Sequence, residues 1–452
     1  MTWTPELTPT AKPLYARLTD AIVRDIALGR LQPGERLPPH RELAYRLSMS
    51  VGAVTRAYAD AQRAGLIESH VGRGTVVAAP AAADGPVDFS RNLPPLAPAE
   101  QALAAGLAQV ARRRDLLQHL DYPRGGGAEA PRHAAALWLQ RVANFESVTP
   151  ERIVLCAGAQ QGAAVALAAV CSPGEPVIAE ALTFAGIKSI AAHARYVLHP
   201  AGLDAEGLTP DGLEAAAKAS GARAAYVQPV QNPTARVMGL ERRRRIVATA
   251  RRLRLTLVED DLYAAYATSL GLPPLAELAP ERVIYVGGLS KSLAPGLRTG
   301  FIVPPPGDIH DGVLAALRAV AFGPPALTAL IATQWIEDGT AFRILREVCA
   351  ELSARAALAR RLLGPAVEAT PMDGPPHLWL PMDELAAEQT AGRALRAGAA
   401  LTAPRTPCLE GVAPSGLRLC IGGPRRRDDL ERGLMAVRAS LTQERDDARD
   451  AV

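Results

Sequence analysis

Beyond residue 150 the chain repeats one device: a short apolar run, a turn, then a stretch of helical length. The runs lie at 153–156, 176–179, 224–227, 256–258, 283–286 and 301–303. Runs this short and this apolar read as strands buried on both faces. Six of them, separated by helical lengths, imply an α/β fold with a largely parallel sheet and helices on both sides. Aromatic residues make up only 4% of the chain and alanine is abundant, which suits helices laid on a sheet rather than a β-sandwich. Ligands of such sheets sit beyond the carboxyl ends of the strands, so the residues just after each run carry the functional reading.

After the first run, Gly158, Ala159 and Gln160 open a helix, whose free backbone N–H groups are suited to phosphate. Phe184 follows the second run and places an aromatic near the site. Gln228-Pro229-Val230-Gln231-Asn232-Pro233 follows the third, and its prolines fix the loop that aims the Asn232 amide. Glu259-Asp260-Asp261 and Tyr263 follow the fourth; three adjacent carboxylates repel unless one meets a cation. After the fifth comes Gly287-Gly288-Leu289-Ser290-Lys291, with Arg298 seven residues further on. A lysine among small and apolar residues has a lowered pKa and can act as a nucleophilic amine, while an arginine fork grips phosphate. A phosphorylated pyridine aldehyde uses all these groups at once, so the set points to pyridoxal 5′-phosphate (PLP).

The front of the chain has a different grammar. Leu14, Leu18, Ile22 and Ile26 repeat at helical spacing up to Gly29, a short helix is expected at about 40–47, and Ser50 is placed to cap a longer helix ending near Ala64. Two short strands around a Gly-rich tip then close at residue 77. Helix, short helix, turn, helix, hairpin is the order of a winged helix-turn-helix, in which the last helix enters a DNA major groove. Residues 1–78 carry ten Lys/Arg against seven Asp/Glu, so most of the net charge of +4 sits here. The small, Pro- and Gly-punctuated stretch 79–87 reads as a linker.

Five scattered cysteines without a C-x-x-C pair argue against a disulfide framework or a metal site. The first residues contain no apolar signal core, and the longest apolar stretch is too short for a bilayer. A cytoplasmic protein is expected.

The front segment, with Pro33-Gly34, Leu37-Pro38, Arg41-Glu42-Leu43-Ala44, Ala57-Tyr58 and Gly72-Arg73-Gly74-Thr75 in fixed order, closely resembles the GntR-type DNA-binding domain. By that resemblance Arg41, Ser50, Thr55, Arg56 and Arg73 contact DNA. Residues 88–445 resemble class I/II aminotransferases of fold type I, with a large part at about 115–325 and a small C-terminal α+β part at about 326–445. The whole chain is similar to the MocR-type members of the GntR regulators.

The resemblance implies Lys291 as the Schiff-base lysine, Asp260 as partner of the pyridine nitrogen, and Asn232 and Tyr263 as partners of the ring oxygen. It puts Phe184 on the ring and Ala159, Gln160, Ser290 and Arg298 at the phosphate. Tyr122 reaches the phosphate of a second subunit, implying a homodimer, and Arg418 clamps the carboxylate of an amino compound. Four departures stand out. Val51 and Ala53 occupy positions where the front domain usually has Arg and Thr. Gly288 stands where a phosphate-binding hydroxyl is common, and Pro131 enters the start of a helix. The arginine run 242–245 is expected to be a solvated helix face. The function implied is a PLP-dependent, DNA-binding transcriptional regulator that senses PLP or an amino compound by imine exchange at Lys291. The alternative is an active aminotransferase carrying a DNA-binding appendage.

Overall fold

The helical spacing at the front is realised as α1, Leu14–Ala27, which buries Leu18 and Ile22 completely. The computed structural model describes residues 3–10, 12–27, 29–70, 74–78, 85–122, 125–321, 323–413 and 415–450. The chain divides into two units, Met1–Gly85 and Pro86–Val452. In the first, α3 (Val51–Arg63) packs against both α1 and α2 (His40–Arg46), and β1 (Ile67–His70) pairs antiparallel with β2 (Gly74–Val77). Arg36 adds an isolated bridge to Val76. Ser50 caps α3 as expected, its hydroxyl accepting from the Ala53 N–H at 3.2 Å. Leu37, Leu43, Val54 and Tyr58 close the core, and the Tyr58 hydroxyl donates to the Pro38 carbonyl at 2.9 Å. Trp3 also belongs to this core; its Nε1 donates to buried Asp25 at 3.0 Å, a tie that periodicity could not show.

The second unit is built on seven strands. In chain order, β3 (Val154–Cys156) leads into α4 (Ala159–Ala168), then come β4 (Pro176–Glu180), β5 (Val197–Ala201) and β6 (Ala224–Val227). Helix α5 (Leu240–Leu253) precedes β7 (Thr256–Asp260), β8 (Val283–Gly288) and β9 (Gly300–Val303). The spatial order is β3-β9-β8-β7-β6-β4-β5. All neighbours are parallel except β9, which is antiparallel to both β8 and β3. The sequence reading missed β5. It is an edge strand with Val197 half-exposed and His199 and Pro200 within it, so it lacks the continuous apolar run of the buried strands.

After helix Ala326–Glu337, the smaller part starts with α6 (Thr340–Leu363). Strand β10 (Leu378–Pro381) pairs antiparallel with β11 (Gly416–Leu419), and α7 (Arg427–Asp450) packs on α6. This part also recruits the start of the unit: Val87–Asp88 pairs with Ala399–Ala400. Val87, placed in the linker from sequence, is thus strand.

The arginine run at 242–245 is not a uniformly solvated face. Arg243 is 2% exposed and donates to the Met238 and Pro273 carbonyls, and Arg242 pairs with Asp204 at 2.6 Å. Arg244 and Arg245 are exposed. Pro131 sits in the first turn of the helix Glu129–Val142, where no intrahelical donor is lost, and the helix starts normally.

Candidate functional site

The carboxyl ends of β3, β4, β6, β7 and β8 bring the expected residues to one place. Lys291 follows β8, and its Nζ donates to the backbone carbonyl of Asn92 at 2.6 Å. Burial lowers its pKa to about 8, and the positive charges of Arg418 and Arg298 push in the same direction. The amine is therefore neutral in a useful fraction of molecules near neutral pH.

Asp260 ends β7 and is 4% exposed; burial raises its pKa to about 6. The ladder explains its partner. Tyr226 of β6 stands opposite Val258 of β7, so it shares a face with Asp260 two residues on, and its hydroxyl donates to Asp260 Oδ2. The adjacent carboxylates point elsewhere. Glu259 accepts the Leu275 and Ala276 N–H groups at 2.7 and 2.9 Å. Asp261 meets the Tyr285 hydroxyl and the charge of Arg243. Burial raises the pKa of both. The expected repulsion is thus relieved by three different sets of neighbours.

Tyr263 is buried, and its hydroxyl oxygen accepts from Asn92 Nδ2 at 2.9 Å. Asn232 is also buried, behind a cis bond to Pro233, and its Oδ1 accepts from Arg418 Nη1 at 2.9 Å. Arg418, on β11, also donates through Nη2 to Ser90 O and Thr402 Oγ1 at 3.0 and 3.1 Å. Phe184 precedes the helix Ala185–Ala194 with its ring laid over Gly186, and its backbone N–H donates to Gln228 Oε1.

The N-terminus of α4 forms the next side of the site. Its cap residue, Gly158, has φ of 90° and supplies no side chain to the helix N–H groups. Arg298 lies beside it, donating to the Ala157 carbonyl at 2.7 Å. A Cβ on Gly158 would stand 2.9 Å from that guanidinium, so only glycine leaves this corner open. Ala159 is buried, Gln160 exposed and Ser290 buried. Gly288 faces the same corner: a Cβ there would lie 3.5 Å from the Ala159 nitrogen but 3.1 Å from the Thr299 carbonyl. The missing hydroxyl is thus matched by a close backbone approach. Tyr122 is exposed.

The residues present fit PLP. Buried polar atoms without hydrogen-bond partners include Asn92 Oδ1, Thr183 Oγ1 and Arg418 Nε, each on a residue of this cluster or of its β4 rim. Buried donors and acceptors are normally satisfied, so a polar ligand is the natural partner. The sequence reading missed Asn92, Tyr226 and His377. A phenol inside an apolar strand, and a histidine directly ahead of one, are the signals that could have found the last two.

In the first unit, Arg41, Ser50, Val51, Gly52, Thr55 and Arg56 are all exposed along α2 and α3. Thr55 Oγ1 lies 3.1 Å from His40 Nδ1. Arg56 has a partner within its own unit, its guanidinium 4.0 Å over the Tyr15 ring. Arg73 lies outside the described residues.

A winged helix followed by a PLP-type fold defines a two-unit protein with a nucleic-acid head and a small-molecule body. The family description "Aminotransferase class I and II" matches residues 85–434, and "Bacterial regulatory proteins, gntR family" matches residues 14–77. The HTH-type transcriptional regulator YdeF of Bacillus subtilis strain 168 is 31% identical over 316 residues, 68% of each chain. The HTH-type pyridoxine biosynthesis transcriptional regulator PdxR of Corynebacterium glutamicum is 27% identical over 397 residues, 83% of this chain and 84% of its own. Among solved structures, the α-aminoadipate aminotransferase LysN of Thermus thermophilus, complexed with N-(5′-phosphopyridoxyl)-L-leucine, superposes with a TM-score of 0.69. It is 25% identical, covering 85% of this chain and 98% of its own. The chain belongs to the class I and II aminotransferase family with a gntR-family regulatory domain at its front, the MocR-type arrangement, and its cofactor is PLP. No helix among the described residues is long and apolar enough to cross a membrane.

Proposed function

We propose that this protein is a transcriptional regulator that binds operator DNA through its winged helix and reads PLP, or an amino compound joined to it, at Lys291. The observation that carries this reading is one chain holding both an exposed α2–α3 face and a PLP cradle built on a partly buried lysine of lowered pKa. PLP supplies an aldehyde with which amines condense and a ring that withdraws electrons. Lys291 provides the amine. Asp260, held by Tyr226, faces the ring nitrogen, and Tyr263 and Asn232 orient the ring oxygen. Phe184 covers the ring. The N–H groups of Ala159 and Gln160, with Ser290 and Arg298, take the phosphate. Arg418 takes a ligand carboxylate. The protein works in the cytoplasm as a homodimer, Tyr122 completing the partner's phosphate site.

On the DNA side, Arg41 and Arg73 hold phosphates while Ser50, Thr55 and Arg56 face the groove. An amino compound that displaces Lys291 shifts the equilibrium between DNA-binding states by its differential affinity for them. Operator affinity measured by fluorescence anisotropy, with and without PLP and a panel of amino acids, tests the proposal. A several-fold change with one amino compound supports it, and unchanged affinity across the panel refutes it. A second reading as a working transaminase is favoured by the complete set Lys291, Asp260, Tyr263, Asn232 and Arg418; 2-oxo acid formation from an amino donor would show it.

A further inference from the structure

Asn92 is the hub of the site, although nothing in its sequence neighbourhood marks it. It is 9% exposed. Its Nδ2 donates to Tyr263 Oη and to His377 Nδ1, both at 2.9 Å, while its backbone carbonyl receives Lys291 Nζ at 2.6 Å. His377 stands immediately before β10, is fully buried, and meets the Tyr263 ring edge-on with centroids 5.4 Å apart. Because Nδ1 accepts, the imidazole is neutral and carries its proton on Nε2, which faces the Gln231 backbone without a hydrogen bond of ordinary geometry.

The two acceptors fix the amide. Both Nδ2 hydrogens are used, so the amide cannot turn without losing two bonds. Oδ1 is then left buried and without a partner. Asn92 thus offers two carbonyl oxygens at the site, Oδ1 and the backbone O, the latter already holding a primary amine. Arg418, the expected carboxylate clamp, is kept from this position by its bonds to Asn232, Ser90 and Thr402.

We propose that Asn92, with its amide locked by His377, is a specificity-determining residue whose two carbonyl oxygens receive the N–H donors of an incoming primary ammonium. The inference rests on the PLP reading of the preceding subsection. A site built around unpaired acceptors favours ligands that bring donors and rejects those that do not. In the exchange that follows docking, the ligand nitrogen forms its bond to the aldehyde carbon and the bond to Nζ breaks. The docked ammonium first gives up one proton to bulk water, and its two remaining N–H protons pass to Lys291 as Nζ leaves as a free amine, so no other reactant is required.

The test uses the full chain with PLP and two amine probes, methylamine, an ammonium ion at neutral pH, and hydroxylamine, which is neutral there. Exchange is followed by visible absorbance for rate and equilibrium constants, and Lys291 loading by borohydride reduction and mass spectrometry. In Asn92→Ala the methylamine-to-hydroxylamine ratio of both constants falls about tenfold or more, the scale of a lost hydrogen bond to a charged group. His377→Phe keeps the ring packing but frees the amide, and lowers the ratio in the same direction by a smaller factor. Equal effects on the two probes, or no exchange with either by the loaded wild type, overturn the proposal. If Asn92→Ala does not load, His377→Phe decides alone. A wild-type chain that never loads Lys291 refutes the PLP reading instead.

Discussion

Replacing Asp260 by asparagine separates what the site needs from what the fold tolerates. Asp260 is buried, and burial raises its pKa from 3.8 to about 6. A carboxyl whose folded pKa is raised contributes stability that is fully present below its unfolded pKa and is lost as pH rises through the folded value. In the PLP-free chain, burying this carboxyl therefore costs about 1.6 kcal/mol at pH 5, where it is mostly protonated, and about 3 kcal/mol at pH 8, where it is ionised, from the two pKa values and 1.36 kcal/mol per unit. Asparagine keeps an oxygen for the Tyr226 hydroxyl and carries no charge. The PLP-free Asp260→Asn chain should thus be more stable than the wild type, and its advantage should grow by about 1.4 kcal/mol between pH 5 and pH 8.

Urea unfolding at fixed protein concentration checks this through the buried tryptophans of the second unit, Trp138, Trp335 and Trp379. Adding PLP should reverse the order. Ligand at about a hundred times its Kd stabilises by ~2.7 kcal/mol, and the wild type gains this while the variant, without a negative charge for the ring nitrogen, gains much less. A stability difference independent of pH, or a variant that gains as much from PLP as the wild type, would refute the reasoning.

Loading of PLP onto Lys291 should accelerate about tenfold from pH 7 to pH 9, because the neutral amine is the nucleophile and its pKa lies at about 8; a flat rate profile, or visible absorbance persisting in Lys291→Ala, contradicts the assignment. Gly158→Ala puts a Cβ against the Arg298 guanidinium at a φ of 90°, so PLP affinity measured by titration should drop at least tenfold, with roughly 1–2 kcal/mol lost from strain. In the first unit Val51→Arg adds a positive charge at the exposed start of α3, and should tighten binding to any duplex while steepening the salt dependence by about one unit in anisotropy titrations.

How far the sequence carried depended on whether a residue's partner was local. The six buried strands were legible because burial on both faces leaves a continuous apolar run, and the groups after them because strand ends converge in a parallel sheet. The edge strand β5, only partly buried and interrupted by His199 and Pro200, carries no such run. Ser50 was legible as a cap because its partner, the Ala53 N–H, lies three residues on. Asn92 and His377 were not: 171 and 285 residues separate Asn92 from its two side-chain partners. Arg243 misled for a related reason. On a helix rich in arginine, nothing local tells which one turns inward to the Met238 and Pro273 carbonyls.

The three adjacent carboxylates show how one ladder serves both stability and chemistry. Glu259 of β7 stands opposite Tyr285 of β8, and Val258 opposite Tyr226 of β6. With a side-chain period of two, Tyr226 reaches forward to Asp260 on one face, and Tyr285 to Asp261 on the other. Both phenols hold a buried carboxyl from a neighbouring strand, but only the first holds Asp260, the proposed partner of the PLP ring. Tyr226→Phe removes a charge-assisted hydrogen bond from Asp260, worth roughly 1.5 kcal/mol, and should raise by about one unit the pH below which PLP is released. Tyr285→Phe should lower the unfolding midpoint and leave that release pH in place. Spectral titration of the two loaded variants from pH 8 down to pH 5 decides it. Equal shifts in both would mean that Asp260 is not the group on which PLP binding depends.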